Sequence, residues 1–225
     1  MTELSTQTQS ALSAQELWNN KSAAARVALL TPIAQHYSLA AWLLEKIANH
    51  MEEELVLPGP TGEANTLLWG GRGVVAVCCD DTASTPAASN AFAAHAFTAL
   101  ATGNAVILQA CSPAAKALAS SLAEALPKGL VHISDSSLEA LANDINFAAY
   151  AFVGSAENET VLNRLLSKRG GALAQLISET DWDNSVLQTS QDYPWRFTTE
   201  TTLTVNTTAV GGNASLLELG GSNDH

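Results

Sequence analysis

Positive charge is scarce in this chain: its 225 residues carry 10 Lys plus Arg against 22 Asp plus Glu, a formal net charge of −12. A surface of that sign repels phosphate backbones and argues against a nucleic-acid partner. Long apolar runs are also missing, and none approaches the roughly 20 residues of a membrane-spanning helix. The opening stretch MTELSTQTQSALSAQELW lacks the basic and apolar segments of a secretory leader, so the expected compartment is the cytoplasm. Cysteine is limited to Cys78, Cys79 and Cys111. An odd number, set in or beside apolar runs, reads as buried free thiols in reducing surroundings.

Catalytic signatures are missing too. The chain contains neither a Walker A loop nor a Gly-x-Ser-x-Gly elbow. GRGVVA (71–76) fits the dinucleotide glycine pattern on paper. Its glycines precede an apolar run, whereas phosphate binding needs them after a strand and at the start of a helix. His50 and Glu54 share the i, i+4 spacing of two metal ligands but have no third partner, so a solvated helix end is the better reading. His95 lies in an apolar helical run and reads as a satisfied core histidine. Asp80 and Asp81 follow the first buried strand, at the end of an open α/β sheet where ligands bind. Two adjacent carboxylates there would repel a phosphate.

What the chain does have is apolar content, 47% of its residues, enough for one medium domain with an appended arm. Residues 1–13 read as a disordered polar lead and 14–56 as helical, with Leu39, Leu43, Ile47 and Met51 repeating every four. LPGPTGEANT (57–66) reads as a loop. From GVVAVCC (73–79) onward short β-branched runs alternate with Ala-rich helical ones. NAVILQA (104–110), GLVHIS (129–134), FAAYAFVGS (147–155) and GALAQLIS (171–178) are the further strands. That alternation predicts a Rossmann-like, doubly wound parallel α/β sheet over 57–182. After it, 183–225 reads as a β-flap, in which TTLTVNTTAV is a strand, with RFTTE as a candidate hairpin partner.

Several of these segments resemble the cofactor domain of the aldehyde dehydrogenase superfamily: RGVVAV, TALATGNAVILQA, LPKGLVHI and AAYAFVGSAENE. The departures matter as much as the matches. The family's Trp-Asn-Phe-Pro stretch is replaced by DDTASTP, its cofactor-contacting Lys by Gln109, and its Glu-Leu-Gly-Gly segment by ISETDWDN, with Glu179 near the general-base position. The domain carrying the family's nucleophilic cysteine has no counterpart. The flanks LPGPTGEANTL (57–67) and VNTTAVGGNASLL (205–217) resemble the C-terminal, aldehyde-dehydrogenase-like module of the proline utilization A (PutA) family.

That resemblance implies a non-catalytic lid over the cavity through which Δ1-pyrroline-5-carboxylate passes between the proline dehydrogenase and glutamate semialdehyde dehydrogenase domains. Those domains are the implied partners, in one chain or between chains, and a homo-oligomer is compatible. It implies no catalytic, cofactor or metal residue here, NAD and FAD belonging to the catalytic domains. Docking falls to Val205, Asn206, Thr207, Thr208, Gly211, Gly212, Asn213, Ala214, Ser215 and Leu216, as an added strand and turn. A divergent or partial NAD-dependent aldehyde dehydrogenase is the alternative. A small-ligand binding protein with its site near Asp80 and Asp81 is a third. A separately encoded chain, a gene fragment and an excised piece all fit.

Overall fold

A computed structural model of the chain describes residues 2–51, 54–60 and 62–206. The chain divides into two compact units, one built from residues 1–51 and 71–199, the other from 52–70 and the segment beginning at Glu200. The small unit takes in residues 52–70, so its boundary falls inside the stretch expected to belong to the α/β domain.

The large unit opens with three helices. Helix α1 (Glu3–Asn19) starts where the Thr2 side chain accepts the Ser5 amide. The expected polar lead is therefore helical from Glu3. Its inner stripe, Thr8, Ala11, Gln15 and Trp18, has helical spacing but is half polar, which hides it from a hydrophobicity reading. The polar members are satisfied: the Thr8 hydroxyl lies 2.9 Å from Asp144 Oδ2, and Gln15 Nε2 donates to the Gly103 carbonyl at 2.9 Å. Helix α2 (Ala23–Ala34) is capped by Ser22 and carries Pro32 in its last turn; α3 (Ser38–His50) follows. The next element is strand β1 (Glu54–Leu57), then β2 (Glu63–Gly71). His50 closes a helix and Glu54 opens a strand, so the two do not share a helix face.

The core of the large unit is a parallel sheet. Strands β3 (Val74–Cys79), β4 (Ala105–Gln109), β5 (Val131–Ile133), β6 (Phe147–Val153) and β7 (Gln175–Glu179) lie in the order β5-β4-β3-β6-β7. All six residues of β3 are buried, as a central strand covered on both faces requires. Helices α4 (Pro86–Ala101), α5 (Pro113–Ala125), α6 (Leu138–Asn143) and α7 (Ala156–Leu166) connect the strands, each with a Ser or Thr cap. Helix α4 is mostly apolar, and Ala91 to Ala101 are all buried, because β3, β4 and β6 pack against it as well as α2 and α3. After β7 come the short helix α8 (Val186–Thr189) and a 3-10 turn, Pro194–Phe197.

In the small unit, β1 pairs antiparallel with β2, from Glu54 opposite Leu68 to Leu57 opposite Asn65. Strand β8 (Thr198–Asn206) takes the other side of β2. The expected loop over 57–66 is thus the tip of a hairpin whose strands claim Leu57 and Glu63 onward. The expected pairing of the terminal strand with RFTTE does not form: Thr198, Thr199 and Glu200 belong to β8 itself, and its partner is β2. Among the described residues from Glu54 to Gly70 and Glu200 to Asn206, none is buried.

Candidate functional site

The sheet order places the chain reversal at β3: β4 and β5 extend to one side of it, β6 and β7 to the other. In such sheets the crevice for ligands opens at the carboxyl ends of the two strands flanking the reversal, here β3 and β6. Register brings those ends level, with Cys79 opposite Val153. Asp80 and the Gly154–Ser155 turn therefore face each other, and the Asp80 amide donates to the Val153 carbonyl at 3.2 Å.

Asp80 fills this crevice. Its Oδ2 accepts from the Ser155 amide at 2.9 Å, the Ser155 hydroxyl at 3.1 Å and Asn158 Nδ2 at 2.8 Å. Its Oδ1 accepts from the Thr82 amide at 2.9 Å and from the Thr82 hydroxyl. The residue is only 7% exposed. Burial by itself would raise its pKa, but these donors outweigh it and hold the carboxyl below the usual carboxylate range. Ser155 is also the cap of α7, its hydroxyl accepting the Asn158 amide at 3.3 Å. Gly154 leaves the space the carboxylate occupies: a Cβ there would sit 2.5 Å from Oδ2. Asp81, its sequence neighbour, is exposed.

Sequence position alone pointed to Asp80, but not to its partners Thr82, Ser155 and Asn158. A Ser three residues before an Asn, at the exit of an apolar strand, was the available cap signal.

The cysteines differ from expectation. Cys79 and Cys111 form a disulfide, because β3 and β4 run side by side and bring the two strand exits together. Only Cys78 is a free thiol, buried and pushed up to about 12 by burial, so it is inert as a nucleophile. With two cysteines paired, the thiol argument for reducing surroundings falls away. His95 is a core histidine as expected. Its Nδ1 lies 2.8 Å from the Tyr193 hydroxyl, and burial pushes its pKa down to about 3, leaving the ring neutral. Glu179, at the end of β7, is buried and accepts the Asp181 amide at 3.0 Å. Burial raises its pKa despite that bond. Among the described residues, no group of three His, Cys, Asp or Glu side chains could hold a metal ion. No helix there is long and apolar enough to cross a membrane.

Of the residues expected to dock, Val205 and Asn206 end β8, and Val205 is 48% exposed. Thr207, Thr208, Gly211, Gly212, Asn213, Ala214, Ser215 and Leu216 lie outside the described residues. A further concavity of about 740 Å³ lies in the large unit, with Trp42, Glu45, Lys46 and Asn49 of α3 on one side and Asp192 and Trp195 among its other lining residues. Lys46, in its lining, donates to the Ser190 carbonyl at 2.8 Å and lies 5.2 Å from the centre of the Trp42 ring.

No protein-family model and no curated protein matches the chain. Solved structures do resemble it in fold. A variant of Bradyrhizobium japonicum proline utilization A (PutA) superposes with a TM-score of 0.63 at 24% identity, over 78% of this chain and 22% of that one. PutA from Bdellovibrio bacteriovorus gives a TM-score of 0.64 at 18% identity, over 77% and 22%. PnpE in complex with nicotinamide adenine dinucleotide gives 0.61 at 18% identity, over 79% and 43%. The chain therefore has the α/β fold of these proteins and spans about a fifth of the length of the PutA chains it matches.

Proposed function

We propose that this chain is a non-catalytic structural module of a PutA-type, proline-catabolic enzyme. It covers the cavity through which Δ1-pyrroline-5-carboxylate passes and supports assembly with the dehydrogenase domain. NAD and FAD would bind in the associated catalytic domains. The observation that carries this reading is the small unit. Its three strands expose Val56 at 79%, Leu203 at 53% and Val205 at 48%, with no buried residue among those described. Three strands without a buried face are marginal alone and gain stability by packing on another surface. The PutA-like fold of the large unit, with its switch-point crevice filled by a structural carboxylate, agrees with a scaffold role.

The test is association. The full chain is expected to bind a PutA-type catalytic chain that lacks its own C-terminal module. Deletion of residues 203–225 should abolish that binding while circular dichroism of the large unit stays unchanged. Unchanged affinity after the deletion refutes the tether. Calorimetric titration of the isolated chain with NAD separates the alternative: a Kd tighter than about 1 mM, roughly −4 kcal/mol, would favour a divergent NAD-dependent dehydrogenase.

A further inference from the structure

We propose that Asp80 keeps the switch-point crevice closed to phosphate-bearing ligands, by holding with its own carboxylate the donors an incoming oxyanion would need. The inference is independent of the assembly role, since it concerns the large unit alone. Three facts carry it. The donors converge from both sides of the crevice: Thr82 from the β3 side, Ser155 and Asn158 from the β6 side. Two of the five are backbone amides, which no side-chain substitution at Asp80 removes. The acceptor they share belongs to the chain, is desolvated, and is charged, so it has the chemistry of the ligand it excludes.

The same donors cannot serve both acceptors at once. Gly154 accommodates the carboxylate so closely that even a methyl group would collide with Oδ2. An external phosphate must first eject Asp80 from a set of charge-assisted hydrogen bonds. Its apparent affinity then falls by the fraction of molecules in which Asp80 has swung out. Glu157 and Glu159, in the first turn of α7, add negative charge at the same helix end. Removing the Asp80 carboxylate leaves the donors in place and reopens the position.

The experiment compares the full chain with Asp80→Gly and Asp80→Ser, using inorganic pyrophosphate and, separately, acetate as a free substitute for the lost carboxylate. The wild-type melting temperature is expected not to respond to either anion beyond the response to chloride at equal ionic strength. In the folded variants, pyrophosphate at about ten times its Kd should raise the melting temperature by about 3–5 °C. Calorimetry should show at least a tenfold gain in affinity over wild type. If the variants fold poorly in chloride, recovery of their circular dichroism on adding pyrophosphate or acetate supports the proposal. Folded variants that bind no better than wild type overturn it. So do unfolded variants that neither anion recovers, and a wild-type chain that binds pyrophosphate as tightly as the variants.

Discussion

At the scale of single residues, the two buried carboxylates at the strand exits respond to pH in opposite senses. Asp80 has its pKa lowered, against its burial, by hydrogen bonds from Thr82, Asn158 and the Ser155 amide, so its ionised form stabilises the fold at neutral pH. That stabilisation is lost as pH falls through the folded-state value, below the ordinary Asp range of about 4. Urea unfolding as a function of pH should therefore show a steep acid limb below about pH 4 in the wild type and a flatter one in Asp80→Asn. At pH 7 the same substitution is expected to cost about 2–3 kcal/mol, because it sets an amide donor against donors. Glu179 has its pKa raised by burial, so the folded state favours the proton. Its contribution is greatest below the unfolded pKa and declines as pH rises through the folded one. Glu179→Gln should flatten the loss of stability as pH rises above about 4.5, the unfolded value; an unchanged slope would show that the carboxylate does not titrate there.

At the scale of elements, the carboxyl end of α4 shows how the N-terminal helices are held. Side chains from the N-terminal helices α1 and α2 meet its last carbonyls and the one just past it. Trp18 Nε1 donates to Leu100 at 2.7 Å, Arg26 Nε to Ala101 at 2.8 Å, and Gln15 Nε2 to Gly103 just beyond. A buried guanidinium at that end also complements the helix dipole. Arg26→Met should destabilise the fold by about 2–4 kcal/mol, measured by denaturant unfolding, since carbonyls would stay buried without a donor. The Cys79–Cys111 bridge ties the exits of β3 and β4 across a separation of 32 residues. Alkylation of the unfolded chain should label one cysteine before reduction and three after it. Loop entropy alone gives the bridge about 3–4 kcal/mol, so reduction should lower the denaturant midpoint.

The same elements show what was legible in the sequence. Central strands such as GVVAVCC, buried on both faces, announce themselves as continuous apolar runs, and the α/β alternation follows from them. The first turns of α1, residues 3–13, escaped because Thr8 occupies an inward position that a hydrophobic pattern counts as outward. Strand β1 escaped because it is four residues long and leads straight into Pro58. The position of Asp80 followed from the topology rule, whereas its donors and the Cys79–Cys111 pairing required knowing which strands are neighbours. Spacing in the sequence does not carry that information.

At the scale of the whole molecule, the excess of acidic groups lies on a chain whose interior is unusually rich in alanine, with a buried helix touched on all sides. The large unit has a continuous core from α1 to the 3-10 turn; the small one has none of its own among the described residues. The small sheet is also assembled from distant parts of the chain: β2 ends at Gly71 and its partner β8 begins at Thr198. During synthesis, at about 5–20 residues per second, β2 is out of the ribosome several seconds before β8 exists. One edge of the β1–β2 hairpin stays open for that whole interval, long after elementary hairpin formation on the microsecond scale is finished. Open edges of this kind template association with other chains. The arrival of β8 thus decides whether the hairpin finishes paired within its own chain or with a neighbouring nascent one.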